Sequence, residues 1–415
     1  MSALKILLLS RWYWLEDQRQ HDDEPGTTRQ LAEAVAALGH EIVVLSQSYH
    51  VKKLKRIPLG SLETWVFPRE KARNPIAGLR DRMGRRAFSY PTVYTDALML
   101  RDFIKQRGPF DVIWAHAEAT DGLVAAIAAR LGTKLPPLLI QAQNMSRHMK
   151  KGVPVFDHKR AIDLAFRQAT RILANSEMAA STIPQAYTTP GHSADDLQAK
   201  VRLVYPNIKN AFLRAGQETP PTAKPNRVLF LGTLDPSKGA FTFLEAVPKT
   251  ETSRQISNFV IVGDFPKRSW IKYRRWEKAQ EAARVQLRGT TMEYLGAVST
   301  FEVIRQIKLS SLVVIPSFYE PFSRGVVEAL ILGRPVITTN QVGASDLLTR
   351  HQCGIVVPPG DSDALARAID VALNPSVDMV ENAKEIGWRL TKELAPESIA
   401  PYIAYHLARI AHTGK

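Results

Sequence analysis

The chain has 415 residues, 45% hydrophobic and 23% charged. This is ordinary globular usage that excludes wholesale disorder, and at about 150 residues per domain it predicts two domains or three. A single cysteine, Cys353, excludes an internal disulfide framework and any multi-thiolate metal site. No apolar run reaches the roughly 18 residues that span a bilayer. Within Met1–Trp14 the burst Ile6–Leu9 is too short for a signal-peptide core, so the expected location is cytoplasmic. The net charge of +15 predicts an anionic partner: nucleotide phosphate, acidic lipid or nucleic acid.

Lys5–Ser10 reads as a buried strand, a continuous apolar run of the kind parallel sheets contain. A polar loop, Glu16–Gly26, precedes a helix over Thr27–Leu38, with apolar residues at Leu31, Val35 and Leu38 and a stop at Gly39. The strand Glu41–Ser46 follows. Farther on come a strand at Asp111–Ala115, a helix at Gly122–Leu131 and a strand at Leu138–Gln141. A helix at Arg160–Ala169 and a strand at Arg171–Ala174 continue the alternation, which predicts a doubly wound α/β domain. The pattern restarts after Val201–Tyr205 and the polar stretch Gln217–Asn226, which reads as a linker. Arg227–Gly232, Phe259–Gly263, Met292–Leu295, Leu312–Pro316, Pro335–Thr338 and Gly354–Val357 are the strands of a second, similar domain. The expected organisation is 1–205, 206–395 and a C-terminal helix within 396–415. Ligands are expected at the carboxyl ends of the strands, in a cleft between the domains.

The positive charge is uneven. Residues 51–107 hold 14 Lys/Arg against 5 Asp/Glu, including Lys52–Arg56 and Arg80–Arg86. A second cluster, Lys267–Trp276, interleaves cations with aromatics. Such clusters suit a solvated basic face, an anionic membrane surface or stacked bases. No zinc-finger, RRM or helix-turn-helix signature supports nucleic acid.

The strongest constellation is Ser317–Leu330, a loop and helix after the strand Leu312–Pro316. Ser323 is placed to cap that helix. The first-turn amides of Arg324, Gly325 and Val326 are then free to meet a phosphate. Gly325 permits close backbone approach. Glu328 lies one turn inside, and helical side chains lean toward the N-terminus, so its carboxylate reaches a ligand docked there. A ribose diol suits Glu328 and a second polyol suits Glu320; a plain surface glutamate pair is the alternative. The second constellation, Phe230–Gly239, is a strand, a glycine turn and Lys238 near a helix start, where an ammonium neutralises a diphosphate. It matches neither the dinucleotide fingerprint nor the P-loop.

Glu320 and Glu328, seven residues between them, followed by Gly333-Arg334-Pro335-Val336-Ile337, resemble the signature of retaining GT-B glycosyltransferases of family GT4. Ala37–Ile42, Asn175-Ser176-Glu177, Val204–Asn207, Val262-Gly263-Asp264, Gly343–Asp346 and Gly354–Asp361 resemble further markers of that family, in order along nearly the whole chain. The resemblance implies an α/β protein of GT-B fold, two doubly wound Rossmann-like domains facing a central cleft. It implies that a C-terminal helix, about Ser398–Ile410, crosses back onto the first domain. It also implies metal-independent transfer from a nucleotide-sugar, UDP favoured, with anomeric configuration retained and no cofactor.

Carried over by position, Lys238 holds the donor diphosphate, Glu328 the ribose and Glu320 the sugar hydroxyls. Phe322, Ser323, Arg324, Gly325 and Val326 cradle phosphate and sugar. Gly26 and Gly232 are the glycine turns of the two domains, and Gly296, Ala297 and Val298 lie beside the base. The family usually has arginine where this chain has Thr233; Arg324 or Arg29 are the candidate replacements. Many members carry histidine where Gln143 falls, and Gln143 is the expected substitute in positioning the donor sugar. His116 is a further candidate catalytic residue, with a structural role as its alternative. The acidic loop Glu16–Glu24 offers Asp22 and Asp23, with Arg29 beyond it, as acceptor-binding residues, against a merely solvated loop.

The expected function is glycosyl transfer to a glycan, lipid-linked or small-molecule acceptor, cytoplasmic or peripheral on the inner membrane face. The alternatives are a nucleotide-sugar epimerase or sugar phosphorylase on the same fold, and a non-catalytic binding module.

Overall fold

The computed structural model describes residues 2–11, 13, 25–48, 51–68, 83, 92–143, 147–150, 153–156, 159–218, 226–251, 258–264, 270–286, 291–373 and 377–414. Asp22, Asp23 and most of the linker 217–226 lie outside them, as do Arg80, Arg82, Arg85 and Arg86. The chain divides into two compact units. One is built from the described residues up to Asn207 together with those from Pro396 on, and the other spans Ile208–Ala395.

The first unit contains the strands β1 (Lys5–Leu9), β2 (Glu41–Ser48), β3 (Lys55–Leu59), β4 (Leu62–Pro68), β5 (Val112–Ala115) and β6 (Leu138–Ala142). It also contains β7 (Arg147–Lys150), β8 (Val153–Phe156), β9 (Arg171–Ala174) and β10 (Val201–Leu203). Eight of them form one sheet in the order β10-β9-β6-β5-β1-β2-β4-β3, while β7 and β8 form a separate hairpin. Every pairing in the large sheet is parallel except β3 with β4. The strand order reverses between β1 and β5, the topological switch point where such sheets bind ligands. The helix Pro396–Thr413 packs on the helix Thr27–Ala37 and on β5 and β6, burying Ile399, Ile403, Leu407 and Ile410. This places the C-terminal helix on the first unit.

Among the described residues of the basic region 51–107, the cations lie on separate elements. Lys55 and Arg56 sit on β3, the edge strand, where cations and Pro58 discourage pairing with another sheet. On β4, Leu62, Thr64 and Val66 turn inward with a period of two. Arg107 ends the helix Val93–Arg107 and lies 4.1 Å from the Trp65 ring.

In the second unit β11 (Arg227–Leu231), β12 (Asn258–Val262), β13 (Thr291–Gly296), β14 (Leu312–Ile315), β15 (Val336–Thr339) and β16 (Gly354–Val357) form a parallel sheet. Its order is β13-β12-β11-β14-β15-β16, so the switch point lies between β11 and β14. Its core includes Phe230, Phe243, Phe259 and Trp276, each buried; burial of such a side chain contributes about 1.5–3 kcal/mol. Of the cluster Lys267–Trp276, Trp276 faces the core rather than a surface. It lies on the helix Trp270–Gln286, where Trp276, Gln280 and Ala283 share the buried face, and it packs edge-on against Phe241. No helix among the described residues is long and apolar enough to cross a membrane.

The helix Val377–Glu393 crosses the helix Arg324–Ile331 at Gly387. A Cβ on Gly387 would lie 1.9 Å from the Leu330 carbonyl oxygen, so only glycine permits this approach. Alanine gains helix propensity of about 1 kcal/mol, but the clash with rigid backbone costs more. Gly387→Ala is expected to destabilise the protein by about 2 kcal/mol net, in the usual range for overpacking. Urea unfolding checks this; equal or greater stability would refute the close crossing.

Candidate functional site

The second unit brings Lys238 and Glu320 together at its switch point. After β11 the chain turns through Gly232 and Thr233, and Gly232 N donates to the Val262 carbonyl at 3.0 Å. Asp235 then caps a short 3-10 turn, its carboxylate accepting from Ser237 N at 3.0 Å. Gly239 leaves that turn at φ 72°, and a Cβ there would lie 2.0 Å from the Pro316 carbonyl oxygen. A glycine is required on both counts. The two loops are stitched by Phe318 N donating to the Ser237 carbonyl at 2.8 Å. Lys238 Nζ therefore reaches Glu320 Oε1 at 2.9 Å. Ser317 Oγ donates to the same oxygen at 2.6 Å.

Glu320 is fixed through its backbone as well. Its N–H donates to Gln341 O at 3.1 Å, and its carbonyl accepts from Gly343 N at 2.9 Å. Phe322 is buried, and its carbonyl accepts from Ala344 N at 2.8 Å. The helix Arg324–Ile331 starts beside this pair, with Val326 buried and Arg324, Gly325 and Glu328 half-buried.

Two expectations about this helix are corrected. Ser323 occupies the cap position, but its side chain makes no cap hydrogen bond and its backbone sits at φ 73°, ψ 92°. That is a strained conformation for a residue with a Cβ, costing about 1–3 kcal/mol, and it turns the hydroxyl away from the first-turn amides. The open side of Gly325 is filled by its own sheet: a Cβ would lie 3.1 Å from Ile315 Cδ1. Its small size seats the helix on β14. Thr233 is exposed. Gly296 closes β13 at φ 69° and accepts from Gly263 N at 2.9 Å, with Ala297 exposed and Val298 half-buried beyond it.

The first unit gathers a separate set at its own switch point. Gly26 precedes the helix Thr27–Ala37 with extended backbone, φ −60°. From that helix Thr28 Oγ1 lies 2.8 Å from His116 Nε2; His116 is buried and follows β5. Arg29 is paired with Glu33 at 3.0 Å in the same helix. Gln143, at the end of β6, is held by its backbone. Its N–H donates to Glu118 Oε2 at 3.0 Å, and its carbonyl accepts from Asn175 Nδ2 at 3.4 Å.

Two buried carboxylates were not read from the sequence, Glu118 and Asp121. They lie on a single π-helical turn, Glu118–Gly122, a geometry often found at functional positions. The available signal was two acids in the short stretch His116–Gly122 between β5 and the next helix. Asp121 Oδ1 accepts from Arg11 N at 3.1 Å. Burial pushes its carboxyl up to about 7, opposed by that amide and the Arg11 charge. Together with Leu9, Gln47, Phe67 and Asp96 it lines a cavity of about 20 Å³, room for about one water.

Residues 215–387 match the family model described as "Glycosyl transferases group 1", and residues 26–192 match the "Glycosyl transferase 4-like domain". Glycogen synthase of Mycobacterium tuberculosis is 25% identical over 181 residues, 43% of this chain and 42% of that protein. The chain thus aligns with about four-tenths of the length of that relative. An alpha-1,4-N-acetyl-D-galactosaminyltransferase of Campylobacter jejuni, whose name specifies a PP-undecaprenol-linked substrate, is 25% identical over 66% of this chain and 69% of its own. The crystal structure of HepE from Anabaena superposes with a TM-score of 0.66 at 19% identity, covering 98% of this chain and 100% of that one.

Asp121 gives the first unit a pH signature. Its native pKa of about 7 lies above the unfolded value of about 3.9, so between those values the native state binds more protons than the unfolded one. The contribution of Asp121 to stability is therefore expected to fall as pH rises from 4 to 7 and to level off above, by no more than about 4 kcal/mol, against an opposite contribution from His406, whose imidazole is pushed down to about 4. Asp121→Asn removes that slope. Urea midpoints of both proteins at pH 5 and pH 8 measure it; parallel behaviour would refute the buried, protonated carboxyl.

Proposed function

The chain belongs to the GT4-like glycosyltransferases of GT-B fold, and from that premise we propose that it transfers a hexosyl group from a nucleoside-diphosphate sugar to an acceptor hydroxyl with retained configuration. The observation that carries this reading is the Lys238–Glu320 pair, 2.9 Å apart, beside the first turn of the helix Arg324–Ile331. An ammonium, a set of amides and two carboxylates, Glu320 and Glu328, form a donor set for a diphosphate flanked by two polyols.

When donor binds, the diphosphate takes over Lys238 from Glu320. Glu320, still held by Ser317, accepts a hydroxyl of the sugar, and Glu328 accepts from the ribose. As the bond from the anomeric carbon to the β-phosphate oxygen breaks, negative charge grows on the phosphate. Lys238 and the amides of Arg324, Gly325 and Val326 stabilise it. The acceptor oxygen bonds to the anomeric carbon on the face the phosphate leaves, and its proton passes to the departing phosphate oxygen. No protein base and no metal enters this scheme. The roles at Phe322, Gly232, Thr233, Gly296, Ala297 and Val298 are donor contacts by position, and Gly26, His116 and Gln143 are offered from the first unit.

UDP is the favoured nucleotide; the fold neighbour HepE is titled as a complex with UDP-glucose. A lipid-linked or glycan acceptor is favoured by the name of the Campylobacter jejuni relative. Anomeric retention rests on the resemblance carried by Glu320, Glu328 and the Gly333–Ile337 turn.

Lys238→Ala is expected to lower kcat about 100- to 1,000-fold, the usual loss for one transition-state donor. Glu328→Ala should weaken UDP binding about 10- to 100-fold, as for a lost bond to a charged group, with a smaller effect on kcat. A thermal-shift screen with UDP, GDP, ADP and dTDP selects the nucleotide. Turnover is then followed as diphosphate released only when acceptor is present, with and without EDTA. Full activity of Lys238→Ala would overturn the site, whereas diphosphate release that ignores acceptor would favour an epimerase or phosphorylase.

A further inference from the structure

At the amino-terminal edge of the first sheet, the end opposite His116 and Gln143, lies an open groove of about 1010 Å³. Among the described residues, five cationic side chains line it, Arg167, Arg171, Lys200, Arg202 and Arg409, against one lining carboxylate, Asp196. Arg171 opens β9, Lys200 immediately precedes β10, and Arg409 comes from the last turns of the helix Pro396–Thr413. The groove is therefore assembled from three separate chain segments of one unit.

Two of the cations have local acids. Arg167 pairs with Asp163 at 2.9 Å, and Asp196 acts on Lys200. Arg202 and Arg409 are arranged differently. Arg202 donates to the carbonyls of Ala199 and Val201 at 3.0 and 2.6 Å, and Arg409 donates to the Tyr405 hydroxyl at 2.9 Å. Those acceptors are neutral and cancel no charge. Arg171 is buried, and both other guanidiniums act on it repulsively. The same three arginines, after burial, push His406 down to about 4. Like charges held this close around a groove destabilise the fold unless an anion joins them.

We propose that this groove is a second anion site, distinct from the donor site in the other unit, and that it binds a phosphate-bearing ligand. Arginine forks match phosphate oxygens two at a time, and the groove has room for more than a single phosphate. A soluble phosphoryl compound and the headgroup of an anionic phospholipid present the same chemistry. The assignment does not depend on the donor reading.

The test uses the full chain carrying Lys238→Ala, so that diphosphate binding at the donor site is suppressed. Inorganic pyrophosphate is titrated calorimetrically into this protein and into the same protein with Arg202→Glu and Arg409→Glu. In parallel, co-sedimentation is measured with phosphatidylglycerol vesicles and with phosphatidylcholine vesicles. Binding of pyrophosphate, or selective binding of phosphatidylglycerol, that weakens at least about tenfold in the charge-reversed protein supports the site. The probe that binds identifies the source. No binding of either probe to the parent, or equal binding by both proteins, overturns it. Arg202 and Arg409 are exposed, so the reversal should fold, and its melting temperature in chloride should equal or exceed the parent's. The neutral pair Arg202→Gln and Arg409→Gln gives the same comparison if it does not.

Discussion

The donor site depends on one topological fact: β11 and β14 are neighbours in the sheet while the chain leaves them in opposite directions. The loops after them diverge, and a crevice opens at their carboxyl ends. Lys238 comes from one loop and Glu320 from the other. The ion pair between them at 2.9 Å is therefore a measure of how far apart the two loops are held. Gly239 against Pro316 and Phe318 against Ser237 set that spacing with backbone contacts, which side-chain motion cannot relax. A half-exposed ion pair contributes little to stability by itself. Its value here is that each partner is held in place by the other and by the backbone contacts of the two loops.

The first unit uses the same geometry with different chemistry. Its strand order also reverses, between β1 and β5, and the residues after those strands again converge: Arg11 N–H meets Asp121, and His116 meets Thr28. Here the groups are buried and include the carboxylates Glu118 and Asp121, where the second unit sets Lys238 against Glu320. One unit is suited to fix negative charge. The other holds buried carboxylates bonded to backbone amides, among them the proton-bearing Asp121.

The parallel strands were legible because burial on both faces leaves continuous apolar runs such as Lys5–Leu9 and Leu312–Ile315. The cluster Ser317–Leu330 was legible because its spacing is short and its elements are local. What the sequence concealed follows from three physical causes. The strand β3 carries Lys55, Arg56 and Pro58 because it is an edge, so its polarity looks like a charge run. Trp276 sits among cations, yet the helical period turns it into the core. Ser323 was expected to cap by residue type, but the left-handed backbone it adopts is imposed by tertiary contacts that no local rule contains. Glu118 and Asp121 were missed for a related reason: a carboxylate is ordinarily taken as surface, and backbone amides, those of Gln143 and Arg11 among them, support their burial.

The arginine groove extends this reasoning from contacts to charge. Of the +15 carried by the chain, the expectation from sequence placed the excess in two continuous runs. The described structure instead concentrates part of it where residues 167–171, 200–202 and 409 meet, positions far apart in sequence and invisible to any window along the chain. Buried Arg171 and depressed His406 indicate that this charge is borne at an energetic cost. At the donor site the corresponding cost is avoided, because Lys238 has Glu320 beside it. A protein that sets Glu320 beside Lys238 and leaves the guanidiniums of Arg202 and Arg409 against neutral acceptors is arranged for an anion from outside at the second place.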